Sequence, residues 1–278
     1  MGDPIGPDDQ IKELVWQFRE MCDLYDAWPV FYQVDSDHLD IYLDLGLTLL
    51  KLGEEGRVDL TAFSLDGRDN RDFRRAQNQL TKLGIQFSII EPARIASIID
   101  ELKPISDEWL EDKNTREKKF SLGSFQLEYL KKMPLATIRQ ENKLIAFANI
   151  WQGADKEELS IDLMRYLPDS PEGIMDYLFT ELMLWGKSQG YRWFNLGAAP
   201  LSGLENRELA PLWTQAGAFV FRYGEHFYNF QGLRQYKEKF NPVWQPKYLA
   251  CPRGLVLPRV LTNLAALISG GLKGVISK

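Results

Sequence analysis

The chain has 278 residues, 45% of them hydrophobic and 26% charged, enough apolar material for one large domain or two ordinary ones and too much for wholesale disorder. Its net charge of −6 excludes a protein coated in nucleic-acid-binding charge, although a local basic groove on an acidic body stays compatible with it. Two cysteines, Cys22 and Cys251, and two histidines are too few for a disulfide framework or a structural zinc site, which makes a reducing compartment the default.

The opening Met1–Pro7 is polar and turn-rich, unlike a signal peptide. From Asp8 to Tyr25, apolar residues at Ile11, Leu14, Val15, Phe18, Met21 and Cys22 form a helical stripe, capped by Asp8 or Asp9. Trp28–Val34 predicts a strand, Ser36–Leu45 a short capped helix, and Gly46–Leu52 a buried strand followed by a polar turn. A strongly basic helix follows over Asp69–Leu83, then a strand over Ile85–Ile90. The stretch Ala93–Leu110 is mostly helical, with Pro104 expected to break it. Leu135–Ile150 reads as a hairpin turning at Glu141–Asn142, and Leu159–Leu167 as one further strand. Pro171–Glu172 opens a long helix that ends near Gly190, with Met175, Leu178, Phe179, Leu182 and Met183 on its apolar face. Tyr191–Leu196 is a strand, Asn206–Ala216 a helix, Ala218–Tyr223 a strand, and Leu233–Phe240 a short helix. No apolar run reaches the ~20 residues of a membrane span; Leu255–Ile276 comes nearest and is broken by Pro258, Arg259, Asn263, Gly270, Gly271 and Lys273.

A quiet repeat runs through this order. The segment Gly46–Glu54 (GLTLLKLGE) lies over Gly217–Glu225 (GAFVFRYGE), and each copy sits in the same succession of long helix, aromatic strand, short helix, glycine-bounded strand and cationic helix. Two copies of one α/β unit follow, the first without the strands that precede the long helix of the second. The expected division is a partial first unit over 1–110, a second, catalytic unit over 111–254, and an amphipathic C-terminal helix over 255–278. Hairpin, strand, long helix, strand, helix and closing strand is the order of the N-acetyltransferase-like fold. Coenzyme A users of that fold hold the pyrophosphate on backbone N–H groups at the start of the long helix. Here that loop is Pro168-Asp169-Ser170-Pro171-Glu172-Gly173. Two prolines lack donors and two carboxylates repel phosphate, so another activated acyl donor is expected.

The stretches GDPIGP (Gly2–Pro7), WPVFYQV (Trp28–Val34), KLGEEGRVDL (Lys51–Leu60), NTREKKFSLGSF (Asn114–Phe125), ADKEELSIDLMRY (Ala154–Tyr166), WFNLGAAPLSGL (Trp193–Leu204) and NFQGLRQYKEKFNPVWQPKYLA (Asn229–Ala250) resemble the multiple peptide resistance factor family, the lysyl- and alanyl-phosphatidylglycerol synthases. The resemblance implies tandem acetyltransferase-like (GNAT) units and transfer of lysine or alanine from aminoacyl-tRNA to phosphatidylglycerol in the inner leaflet. It places the chain at the cytoplasmic face of the bacterial cell membrane and implies altered membrane charge and resistance to cationic antimicrobial peptides. Full-length members carry an N-terminal multi-helix flippase domain, of which this chain has none. No coenzyme or metal is implied, because aminoacyl-tRNA is the donor substrate. Two rivals remain open: a tRNA-dependent transferase acting on a peptidoglycan precursor, and an inactive fragment that only binds lipid or tRNA.

Ester-to-hydroxyl transfer needs a proton acceptor, oxyanion stabilisation and alignment of both substrates. Asp162 and Arg165 lie on or beside the strand that lines the reaction centre in this fold. Asp162 could take the hydroxyl proton or hold the donor's amino group, and Arg165 could bind phosphate or steady the oxyanion; an Asp–Arg pair closing the strand is the plainer alternative. Arg234, Lys237 and Lys239 could grip the lipid phosphate or the tRNA end, with Arg234 and Lys237 on one helix face. Glu225 could read a donor amino group, or share a turn role with its counterpart Glu54; the neighbouring His226 is more simply structural. Arg71, Arg74 and Arg75 form a cationic stripe suited to tRNA phosphates, or a solvated face. The tail Leu257–Ile276 suits an anionic membrane interface, or packing on the body.

Overall fold

The computed structural model describes residues 1–68, 70–113, 117, 120, 123–204 and 230–269. The chain is a mixed α/β protein that forms two compact units, one of Met1–Arg57 with Ala198–Ala265, the other of Val58–Gly197 with the chain from Ala266. Compactness therefore does not follow the contiguous segments 1–110 and 111–254.

In the first unit, helix α1 (Asp8–Leu24) starts after Pro7 with Asp8 and Asp9 in its first turn, where carboxylates complement the helix dipole. It buries Ile11, Val15 and Cys22. Strand β1 (Phe31–Val34) and helix α2 (Leu39–Asp44) follow. Their apolar residues close a core of Ile11, Val15, Phe31, Val34, Ile41, Tyr42, Leu45, Leu47 and Ala250. Strand β2 (Thr48–Asp59) is twelve residues long, so the polar turn expected after Leu52 is absent and the strand runs through Gly53-Glu54-Glu55-Gly56. The two glycines serve close approach instead of turning. A Cβ at Gly53, whose φ is 151°, would stand 2.5 Å from the Ala199 carbonyl oxygen, and one at Gly56 would meet Trp244 and Pro242.

In the second unit, helix α3 (Arg71–Lys82) buries Phe73 and Leu80 and turns its cations outward, and strand β3 (Ile85–Ile90) has the expected bounds. A 3₁₀ turn over Pro92–Ser97 leads to helix α4 (Ile99–Asp112). The break lies at Ile98, not at Pro104, which α4 accommodates one turn and a half from its start, where the missing N–H costs a single ladder bond. After the short helix α5 (Leu127–Leu130), strands β4 (Leu135–Gln140) and β5 (Lys143–Asn149) form the expected hairpin. Glu141 and Asn142 both have positive φ, 48° and 68°, as a two-residue hairpin turn of matching twist demands.

The single strand expected over Leu159–Leu167 is two strands in different sheets. Strand β6 (Trp151–Gln152) pairs with β7 (Glu158–Ser160), while β8 (Met164–Tyr166) pairs antiparallel with β5. Asp162 therefore lies in the connection between strands. The cause is Asn149, whose side-chain oxygen accepts the Asp162 and Leu163 backbone N–H groups at 3.2 and 2.8 Å and draws the chain out of line. Helix α6 (Ile174–Ser188) is buried along most of its length, with Leu178, Leu182 and Met183 fully enclosed, each contributing about 1.5–3 kcal/mol of apolar burial. Strand β9 (Trp193–Pro200) pairs parallel with β7, Leu159 opposite Phe194.

Helix α7 (Phe230–Glu238), strand β10 (Val243–Cys251) and helix α8 (Leu257–Ser269) complete the described chain. Strand β10 lies antiparallel between β1 and β2. Helix α8 puts Leu257, Val260, Leu261 and Leu264 against Leu249 and Cys251. Packing on the body thus uses the side of the tail expected to meet membrane. The expected helix 206–216, the strand 218–223 and the second repeat copy, 217–225, lie outside the described residues.

Candidate functional site

Two polar clusters carry most of the chemistry that sequence singles out, one in each unit. In the first unit, β2 presents Glu54 and Glu55, and α7 presents Arg234 and Lys237. The Glu54 carboxylate accepts hydrogen bonds from Arg234 and from Lys51 Nζ, the latter at 2.8 Å. Lys51 also donates to the Gly203 carbonyl at 2.8 Å. Burial would raise the Glu54 pKa, but the two cations outweigh it and hold the carboxyl below its usual range. Gly203 has φ of 64°, a conformation that favours glycine, and a Cβ there would displace the Glu54 carboxylate. The Arg234 guanidinium lies over the Trp244 ring, 3.9 Å from its centroid, and reaches Glu238 at 3.5 Å.

Lys237 is buried, and its Nζ donates to the Ala198 carbonyl at 2.7 Å. Burial pushes its pKa down to about 8, against the opposing field of Glu55. Lys247 shows the contrast. It is also desolvated, yet Glu55 at 2.9 Å and Asp35 at 2.7 Å raise its pKa above the ordinary value. Lys239 does not join this cluster; it is exposed, with its ammonium 4.9 Å from the centroid of the Tyr236 ring. Sequence reasoning picked Arg234 and Lys237 but missed Lys51, and it gave Glu54 only a turn role. The available signal was a charged Lys-x-x-Glu-Glu run inside a glycine-flanked strand, where solvation alone would not place charges.

In the second unit, Asp162 is half-buried, and each of its carboxylate oxygens accepts a bond, one from the Tyr129 hydroxyl and one from Asn149 Nδ2. Trp151 Nε1 donates to the Tyr129 oxygen at 3.2 Å. Gly123 packs so closely that a Cβ there would sit 2.7 Å from Asp162 Oδ1. Burial, then the neighbouring carboxylate, raise the Tyr129 pKa, so the phenol keeps its proton and stays a hydrogen-bond donor to Asp162. Arg165, on β8, does not pair with Asp162 as the plainer alternative had it. Its side chain is 9% exposed, bonds Glu117 at 3.2 and 3.3 Å, and stacks on Trp109 at 4.2 Å. Burial lowers its pKa, opposed by Glu117. With its charge matched by Glu117 and its face covered by Trp109, this guanidinium braces β8 against α4.

The sequence model for the C-terminal region of phosphatidylglycerol lysyltransferase matches residues 1–251. The chain belongs to this family. It is 39% identical over 250 residues to phosphatidylglycerol lysyltransferase from Staphylococcus aureus and 37% identical over 250 residues to that from Staphylococcus epidermidis, matching 90% of this chain and 30% of each relative. It therefore spans about a third of the length of the curated relatives it matches. Among solved structures, L-PGS from Bacillus licheniformis is 38% identical with a TM-score of 0.85, covering 98% of this chain and 82% of that one. The C-terminal domain of an Agrobacterium fabrum protein assigned as a lysylphosphatidylglycerol synthetase is 41% identical with a TM-score of 0.86, covering 98% and 83%. FemX, 10% identical with a TM-score of 0.57, shares the fold alone.

The family's structural context leaves the remaining expected residues as follows. Arg71, Arg74 and Arg75 line one open groove of about 620 Å³ on α3, with Asn78, Gln79 and Lys82. Arg74 also donates to the Leu65 carbonyl, which fixes the start of the groove. Glu225 and His226 lie outside the described residues. No described helix is long and apolar enough to cross a membrane.

Proposed function

We propose that this chain transfers an amino acid, lysine in preference to alanine, from aminoacyl-tRNA to a glycerol hydroxyl of phosphatidylglycerol. The observation that carries the reading is the Lys51–Glu54–Arg234–Lys237 cluster, a set of buried and stacked cations in a family whose relatives are named phosphatidylglycerol lysyltransferases. In the reaction the glycerol oxygen attacks the ester carbonyl and its proton leaves to a base. The tetrahedral intermediate then collapses, and the ribose oxygen departs with a proton. One ester replaces another, so neither metal nor coenzyme is needed. The start of α6 supports a donor other than a coenzyme A thioester: the Ser170 and Ile174 N–H groups are already spent on the Leu167 and Pro171 carbonyls, beside Asp169 and Glu172.

Arg234 and Lys237 meet the lipid phosphate in this reading, Arg234 through its planar fork and Lys237 as a buried ammonium held by one carbonyl. In the second unit, Asp162, held in place by Tyr129 and Asn149, is the candidate proton acceptor. Arg71, Arg74 and Arg75 engage tRNA phosphates. Lysylation would turn an anionic headgroup cationic at the cytoplasmic face of the cell membrane, and thereby weaken attraction of cationic antimicrobial peptides. The test is turnover with labelled lysyl-tRNA and alanyl-tRNA on phosphatidylglycerol vesicles, with products resolved by mass spectrometry. Lysyl-phosphatidylglycerol is the expected product. A modified cell-wall peptide, or no aminoacylated lipid from either donor, would refute the proposal.

A further inference from the structure

The end of α1 and the turn before α8 leave large apolar side chains in solvent. Leu24 is 84% exposed, Tyr25 79%, Trp28 45% and Leu255 98%. Exposed leucines scattered singly are ordinary. These are not scattered, because the two segments leave the first unit side by side. The Arg259 guanidinium lies over the Trp28 ring, 5.3 Å from its centroid. Val30 and Val256, just beyond Trp28 and Leu255, pack on the same cluster of Leu249, Cys251 and Val260. Much of the apolar side of α8 is spent in that packing, although Leu267 is still 54% exposed.

Charge selects the partner. From Lys239 to Lys278 the sequence holds no Asp or Glu, in a chain of net charge −6, and of its six Lys and Arg residues Lys247 is spent on Asp35 and Glu55. Within that stretch Arg253 and Arg259 flank Leu255, and both are exposed. The nearby carboxylates, Glu20, Asp23 and Asp26, belong to the α1 side, and Asp23 is matched by Arg19 at 3.1 Å. Indole and phenol rings settle at the headgroup level of a bilayer, leucines enter the acyl boundary, and arginines meet phosphates.

We propose that Leu24, Tyr25, Trp28 and Leu255, edged by Arg253 and Arg259, form a docking surface for an anionic phospholipid bilayer. The proposal rests on the lipid-acceptor reading above, and it adds where the first unit touches the membrane. The experiment is co-sedimentation of the full chain with vesicles of phosphatidylcholine alone and with phosphatidylglycerol added, at low and high salt. It is paired with turnover on a short-chain, water-soluble phosphatidylglycerol. Leu255→Asp and, separately, Arg253→Glu change exposed side chains, and thermal melting checks that they fold. Each should weaken binding to the anionic vesicles at least ~5-fold, with the arginine effect fading at high salt, and leave turnover on the soluble acceptor unchanged. Wild-type binding by both variants overturns the proposal. So does a wild-type dimer in sedimentation velocity that Leu255→Asp dissolves, since the patch would then face a second copy. If wild type aminoacylates no acceptor yet the vesicle result stands, the transfer reading fails and the docking surface survives.

Discussion

Replacing Lys237 with methionine should make the protein more stable at neutral pH while weakening its work. A buried ammonium with one carbonyl partner is poorly compensated, which is why its pKa falls from 10.5 to about 8. At about 1.4 kcal/mol for each pH unit, that gap amounts to about 3 kcal/mol of native-state penalty below pH 8. Methionine fills a similar volume without charge. It forfeits the bond to the Ala198 carbonyl, at about 1 kcal/mol. The net expectation is a gain of about 2 kcal/mol at pH 7. The pH dependence gives an independent check. Between pH 8 and 10.5 the unfolded lysine still holds its proton and the folded one does not, so wild-type stability rises with pH through that window. The variant lacks this rise, and the two curves converge and cross near pH 10. Urea unfolding from pH 6.5 to 10.5 measures both. A variant less stable than wild type at pH 7, with the same slope against pH, would refute the reasoning and make Lys237 an ordinary paired cation.

Asp162→Asn should reduce turnover at least ~10-fold, since the amide cannot accept a proton, and cost about 1 kcal/mol of stability because its NH2 replaces one of two acceptor oxygens; wild-type turnover would leave Asp162 a structural group. Arg165→Ala should act on stability first, by about 3 kcal/mol, because Glu117 loses its partner and Trp109 its stacked neighbour; urea unfolding at constant pH reads this directly. Charge reversal at Arg71 and Arg75 should raise the apparent KM for aminoacyl-tRNA and flatten its salt dependence while leaving kcat nearly unchanged, measured as initial rates at three salt concentrations.

Elements governed by local rules were legible in the sequence. The hairpin at Glu141–Asn142 and strand β3 follow from turn chemistry and alternation, and α6 from an apolar face long enough to fix its period. The failures share one cause, which is that a distant side chain overrides a local preference. Gly53 and Gly56 look like turn residues, but they are small because the Ala199–Leu201 backbone and the Trp244 ring press against β2. The run Leu159–Leu167 looks like one strand, but Asn149, a residue of another strand, breaks it and hands Asp162 to a loop. The same limit applies to the site. Arg234 and Lys237 could be picked from spacing on a helix, but the partners that give them meaning, Glu54 and Ala198, lie far away in sequence. Arg165 was read as an open cation because nothing local announces Glu117 and Trp109.

The depressed pKa of Lys237 also couples ligand binding to protons. An anion that reaches Nζ supplies the compensation that the folded chain withholds, and so raises the lysine's pKa back toward 10.5. Near pH 8.5 the free protein carries Lys237 mostly neutral, and the complex carries it charged, so binding must draw a proton from solution. By linkage, affinity for the phosphate headgroup should be flat below about pH 7.5 and fall as pH rises beyond 8. Isothermal titration of a short-chain phosphatidylglycerol at pH 8.5, in two buffers of different ionisation enthalpy, measures the uptake directly. Wild type should take up about three-quarters of a proton, and Lys237→Met none. Arg234 cannot mimic the effect, because a guanidinium stays charged throughout this range. Equal heats in the two buffers for wild type would mean that the phosphate never meets Lys237, and would move the lipid contact to Arg234 and its neighbours on β2.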